Sequence, residues 1–255
     1  MLATIEHFNS NIKVDLSKPI DISMPMHPKS ASAWYVDPLR IEPVMNQQFT
    51  GSVEKGGAVN FRNIFFNPHG HGTHTETVGH ISKEILSINK VLKQFFFTAE
   101  LITITPKKNT VVQEFSSLDD TIISKEQIDA ALGKISPEAL IIRTMPNEID
   151  KLTKNYSGQN STYLTQDAMR FIVSKNIQHL LIDLPSVDRE LDGGKLNAHH
   201  IFWNYPASKD SKKTITEFIF VSNKVADGSY LLNLTIAPFE NDASPSKPIL
   251  YKIFN

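Results

Sequence analysis

Along the chain, runs of consecutive apolar or β-branched residues alternate with segments whose apolar positions recur three and four apart, the rhythms of strands and helices. Residues 95–105 carry Phe, Leu and Ile at most positions and stop at Pro106, which predicts a strand buried on at least one face. Ser124 with Gln127 forms a capping-box signature, followed by Ile128, Ala131 and Leu132 at helical spacing and by Gly133 as a stop. That helix leads into an apolar strand at 139–143. Thr165 caps a second predicted helix with Ala168, Phe171 and Ile172 on one face, and residues 179–184 then read as a strand buried on both faces. Strand, helix, strand in this order predicts parallel pairing.

Elsewhere the signals are shorter. Residues 20–26 alternate toward a strand that ends at His27-Pro28, and 28–33 read as a loop with Trp34 and Tyr35 on its far side. Residues 58–66 are apolar enough for a strand and run into Asn67-Pro68, which breaks it. Residues 214–221 and 229–238 are strand-like on either side of an Asp227-Gly228 turn. With no internal repeat, low-complexity tract or long linker, the expectation is one α/β domain over residues 1–255 with a substantial mixed sheet.

Composition narrows the function. Apolar residues at 40% and charged residues at 21% describe a packed globular protein. A net charge of -1 with scattered Lys and Arg gives no electrostatic footprint for nucleic acid or an anionic membrane, so a small neutral or weakly charged substrate fits better. The absence of cysteine excludes disulfides, thiolate zinc sites and a cysteine nucleophile, so any metal must be held by His and carboxylates. The opening MLATIEHFNSNIKVDL lacks the basic start and apolar core of a secretory signal, and no apolar run approaches membrane-spanning length. A cytoplasmic protein is expected.

Chemistry concentrates in 67–80, where His69, His71, His74 and His80 lie among Gly70, Gly72 and Gly79, with Glu76 two residues after His74. Neutral imidazole suits zinc and similar ions, and carboxylate completes such a site where thiolate is missing. An extended backbone at Glu76 would point His74 and Glu76 to the same side. Spacing alone leaves two alternatives open: a metal site, or a polar loop whose histidines are hydrogen-bonded or solvated. It is not a His-Glu-x-x-His motif. His179, at the start of an apolar strand, reads as structural, Asp119-Asp120 as a solvated acidic pair, and Phe95-Phe96-Phe97 as core.

Gly72-Thr73-His74, with His80 six residues after His74, resembles the H-x-G-T-H-x-D-x-P-x-H signature of the cyclase family, which includes kynurenine formamidase and isatin hydrolase. The resemblance runs nearly the whole chain in order. Ile20-Asp21-Ile22-Ser23 and the segment up to Trp34 look like the family's N-terminal strand and substrate loop. Asp183-Leu184-Pro185-Ser186-Val187-Asp188 looks like its D-x-x-S-x-D segment, His199-His200-Ile201-Phe202-Trp203 like its H-x-x-L-L, Glu217 like its late glutamate and Gly228-Ser229-Tyr230 like its G-x-Y.

The resemblance implies a single domain with a mixed, barrel-like sheet and flanking helices, of the swivelling β/β/α kind. It implies His74, Glu76, His199 and Glu217 as ligands of one or two divalent ions, zinc foremost and manganese an alternative, with His80 as catalytic proton shuttle. Three departures stand out: Gly70 occupies the position of the family's first histidine, Glu76 that of an aspartate and Val78 that of a proline. Either His69 reaches the ion through a longer loop or His71 substitutes; His69 is the expected ligand. Trp34 and Trp203 are expected to line a pocket for an aromatic substrate. The implied activity is arylformamidase-like hydrolysis, N-formylkynurenine giving kynurenine and formate, in a homodimer or larger homo-oligomer. Rival readings are a lactone, cyclic imide or isatin-type ring hydrolase, and a non-catalytic homologue that keeps the ion.

Overall fold

The computed structural model describes residues 1–7, 10–112, 114–209 and 211–254. Seven of the described strands close into a barrel: β1 (His74–Glu76), β2 (Phe96–Ile104), β3 (Ala139–Thr144), β4 (His179–Ile182), β5 (Thr214–Glu217), β6 (Gly228–Ile236) and β7 (Ala243–Phe254). Around the barrel the order is β7-β6-β2-β3-β4-β5-β1, and β1 pairs back to β7. The β2–β3, β3–β4 and β4–β5 pairs are parallel, as strand-helix-strand order predicts. The other four pairs are antiparallel. Closure depends on β7, whose first residues pair with β1, whose middle pairs with β6 and whose end reaches an N-terminal hairpin.

The parallel strands separate two cores. Ala139, Ile141 and Leu181 pack inside the barrel with Leu101, Leu232 and Leu250. Their neighbours Leu140, Ile142, Leu180 and Ile182 face outward onto α1 (Lys125–Leu132), α2 (Gln166–Ser174) and α3 (Asn197–Trp203). Every residue of β3 and β4 is therefore buried, which is why these strands read as continuous apolar runs. The helix signals hold locally: Gln127 Oε1 accepts from Ser124 N at 3.1 Å, Thr165 Oγ1 accepts from Ala168 N at 3.2 Å, and Gly133 takes a φ of 60° where α1 ends.

Several expectations are corrected. The 20–26 strand shrinks to Ile20–Asp21, because the Asp21 carboxylate captures Ser23 N and Oγ at 2.9 and 2.6 Å and turns the chain. The 58–66 strand is only Arg62–Phe65, wholly exposed in a hairpin with Arg40–Pro43, because no third layer covers it. Asp227-Gly228 joins no hairpin: β5 pairs with β4 and β1, β6 with β2 and β7. The Asp227 carboxylate instead takes Thr103 N at 2.8 Å and Arg143 Nη2 at 2.8 Å. Of the three consecutive phenylalanines only Phe97 is core, since Phe95 and Phe96 are exposed.

Asp120 is not solvated. It is fully buried, paired with Arg189 Nε at 3.0 Å and hydrogen-bonded by Asn160 and Tyr163. Burial pushes its pKa up, but Arg189 and the other donors outweigh it and hold the carboxyl down at about 2. No helix among the described residues is long and apolar enough to cross a membrane.

Candidate active site

The site forms where β1 is clamped between β5 and β7. In the β1–β5 ladder Glu217 stands opposite His74, and the two-residue period of β1 puts His74 and Glu76 on one face. After β1 the chain tightens into a 3-10 turn, Val78–His80, whose cap Thr77 accepts Gly79 N on Oγ1 at 3.0 Å. This turn folds His80 back until its Nε2 lies 4.0 Å from Glu76 Oε2. The α3 helix delivers His199, and its first turn is tied by Asp188, which accepts Ala198 N at 2.7 Å and His199 N at 3.1 Å.

The loop before β1 decides which early histidine enters. Asn67 Oδ1 accepts His69 N at 2.9 Å and Gly70 N at 3.1 Å, which curls the chain and directs the His69 ring inward. His69 Nδ1 then lies 3.0 Å from Glu76 Oε2. His71 faces away, its Nε2 at 2.9 Å from Asp37 O and its Nδ1 accepting Asn67 N at 2.9 Å. A Cβ at Gly70 would lie 2.7 Å from a Val36 methyl, so a larger residue there requires Val36 to shift.

The hydrogen bonds on the outer side of each ring assign its inner atom. His74 Nδ1 lies 3.1 Å from Gly72 O, His199 Nδ1 2.6 Å from Asp188 Oδ2 and His69 Nε2 2.8 Å from Asp242 Oδ2. Each of these partners only accepts, so a proton on the outer nitrogen would leave the inner one free to ligate an ion. The inner nitrogens face carboxylates: His199 Nε2 is 3.0 Å from Glu76 Oε1, and His74 Nε2 is 3.4 Å from Glu217 Oε2. Both His74 Nε2 and Glu76 Oε2 are buried without a hydrogen bond. In a dry site such nitrogens and carboxylate oxygens stay together only with a proton or a metal ion between them.

The metal-free protein answers the same demand with protons. Burial lowers the pKa of His69, but Asp242 and Glu76 reverse that and raise it to about 10. His199 is likewise raised despite burial, by Asp188 and Glu76. Burial alone would raise the Glu76 carboxyl, yet His80, His199 and His69 hold it well below the usual range. The donor set is nitrogen and carboxylate oxygen in overlapping groups: His69, His74 and Glu76; Glu76, His80 and His199; His69, His80 and Asp242. This chemistry fits a borderline divalent ion, with room for more than one.

The cluster opens onto a cavity of about 240 Å³ lined by Trp34, Val36, Leu196, Arg189 and His80, among others. Trp34 thus stands at the cavity. Trp203 does not: it is fully buried under α3, its indole N–H donates to Lys213 O at 2.9 Å, and its ring packs 5.3 Å from that of His199. The expectation that Trp203 lines a substrate pocket is corrected, because the helical turn that aims His199 inward aims Trp203 into the helix layer. Sequence reasoning missed Asp242, which reaches the cluster only because β7 pairs beside β1; nothing local in Glu240-Asn241-Asp242 marks it.

Comparison with known proteins extends these observations. The Cyclase family, described as "Putative cyclase", matches residues 14–189. Kynurenine formamidase of Bacillus thuringiensis (strain Al Hakam) is 25% identical over 238 residues, 93% of this chain and 99% of that protein, and the Bacillus anthracis enzyme matches to the same extent. Among solved structures, a potential metal-dependent hydrolase with cyclase activity has a TM-score of 0.64 at 16% identity, covering 92% of this chain and 97% of its own. Isatin hydrolase A from Labrenzia aggregata, bound to benzyl benzoate, has a TM-score of 0.63 at 14% identity, covering 92% and 93%. At those identities the structural matches speak for the fold.

Proposed function

The chain belongs to the Cyclase family, and from that premise we propose that it is a metal-dependent hydrolase that opens amide-type C–N bonds, arylformamidase-like in its substrates. N-formylkynurenine, divided into kynurenine and formate, is the leading candidate; the two related Bacillus kynurenine formamidases support it. One observation carries the metal reading: inner nitrogens of His69, His74 and His199 converge on the carboxylates of Glu76 and Glu217 in a buried cluster. Those five residues are the ones that would hold one or two divalent ions, zinc foremost. When bound, such an ion lowers the pKa of a water toward neutrality and so supplies the nucleophile.

The remaining work falls to the chain. His80 sits at the rim, its side chain 30% exposed toward the cavity and its Nε2 4.0 Å from Glu76 Oε2. An imidazole at that place takes the proton from the attacking water and returns it to the leaving nitrogen, yielding a carboxylate and an amine. Trp34 offers a flat face to an aromatic ring on the leaving group. Arg189 is engaged by Asp120 and by Leu191 O at 2.6 Å, which makes it a fixed wall of the cavity.

The test is a substrate panel run with metal-loaded protein: N-formyl aryl amines, lactones, cyclic imides and isatin. Fastest turnover of the N-formyl aryl amines supports the reading. Preference for a lactone, imide or isatin would move the substrate class while leaving the metal chemistry in place. A loaded protein that turns over none of them is a non-catalytic homologue.

A further inference from the structure

We infer that Asp242 is a positioning residue that holds the ring of the loop ligand His69 by its outer nitrogen, beside the proton carrier His80; this rests on reading the cluster as a metal centre. Asp242 Oδ2 lies 2.8 Å from His69 Nε2 and 3.6 Å from His80 Nδ1, so one oxygen faces the outer nitrogen of each ring. The inner nitrogens, His69 Nδ1 and His80 Nε2, face one atom as well, Glu76 Oε2, at 3.0 and 4.0 Å. Between these two carboxylates the rings stack with centroids 4.1 Å apart and planes 28° from parallel. A carboxylate accepts and does not donate, so an Nε2–H of His69 directed at Asp242 would leave Nδ1 as the atom offered to an ion, whereas His80 Nδ1 at 3.6 Å lies beyond hydrogen-bond distance of the same oxygen.

The backbone keeps the carboxylate in place. Ala243 is registered against Glu76 in the β1–β7 ladder, Asp242 O accepts Thr77 N at 3.0 Å, and Asn241 O accepts Ile88 N at 2.8 Å. None of these contacts uses the Asp242 side chain, so its replacement leaves the strand pairing intact. The arrangement also answers a problem specific to this chain. His69 comes from a loop, with no strand ladder to hold its ring, and Asp242 supplies that restraint from across the barrel seam.

The experiment uses the full chain, stripped of metal and titrated with zinc against a chromophoric chelator. Histidine tautomers are read by long-range 1H–15N spectra of the loaded protein. Asp242→Ala is expected to fold, to weaken zinc binding roughly 10–100-fold, and to turn His69 from a single Nε2–H tautomer into a mixture. Asp242→Glu should recover part of the affinity. Should the alanine variant fail to fold, Asp242→Asn, which keeps the shape, is read in the same way. A folded variant that binds zinc as tightly as the parent, with the His69 tautomer unchanged, overturns the inference alone. A parent protein that binds no zinc overturns the metal reading, and this inference with it.

Discussion

His69 Nδ1 lies 3.0 Å from Glu76 Oε2, whereas its near neighbour His71 turns its ring outward to Asp37 and Asn67. Two histidines of equal chemical suitability are thus separated by the turn that Asn67 sets, and only one of them joins the cluster.

His69→Ala and His71→Ala should therefore fail differently. We expect the first to lose metal affinity by at least an order of magnitude, read as ions per chain after dialysis. The second should keep its metal and lose about 1 kcal/mol of stability, because Asn67 N loses its hydrogen bond to His71 Nδ1. Equal metal loss in both would remove the distinction.

Asp188 grips His199 through the ring and through the first turn of α3 at once. Asp188→Ala is expected to weaken metal binding by roughly 10–100-fold through the freed ring. It should also lower the melting temperature of the metal-free protein. A variant with parental affinity would show that His199 is oriented by other means.

The two tryptophans should separate binding from folding. Trp34→Ala, at the cavity, is expected to raise KM for aromatic substrates with little change in melting temperature. Trp203→Ala, fully buried, should cost about 3–5 kcal/mol of stability. A stable Trp203→Ala with altered KM would put Trp203 back in the substrate pocket.

His179 gives a pH signature away from the metal. Burial holds its pKa down at about 4 against an ordinary 6.5, with Glu138 pulling weakly the other way. Between those values the unfolded chain binds a proton that the folded chain refuses, so stability falls as pH drops through this window. The contribution is at most about 3 kcal/mol. Denaturant titrations of the parent and His179→Gln from pH 7 to 4 should show a shallower acid loss in the variant; parallel curves would contradict the assignment.

Legibility in the sequence followed the range of the interactions. The capped helices α1 and α2 and the doubly buried strands β3 and β4 were readable, because a cap or an apolar period lies within a few residues. Barrel closure was expected only through the family resemblance, since it depends on β7 meeting both β1 and β6. The same seam hides Asp242, whose role is made by strand pairing and by nothing in its neighbours. Apolar content misled where burial is decided by a missing layer, as at Arg62–Phe65, and a polar pair misled where Arg189 arrives from far along the chain to bury Asp120. Within the cluster, His69, His74, Glu76, His80, His199 and Glu217 were all nominated in advance, the last two through resemblance rather than local pattern. Trp203 failed because helical phase, rather than nearness in sequence to His199, sets where it points.

The most direct test is turnover of an N-formyl aryl amine by the protein as purified, after chelation, and after return of zinc or manganese. We expect activity to disappear on chelation, to return with the ion, and to stay absent in His74→Ala under all three conditions. Full activity in the chelated, metal-free protein would contradict the metal-dependent mechanism outright.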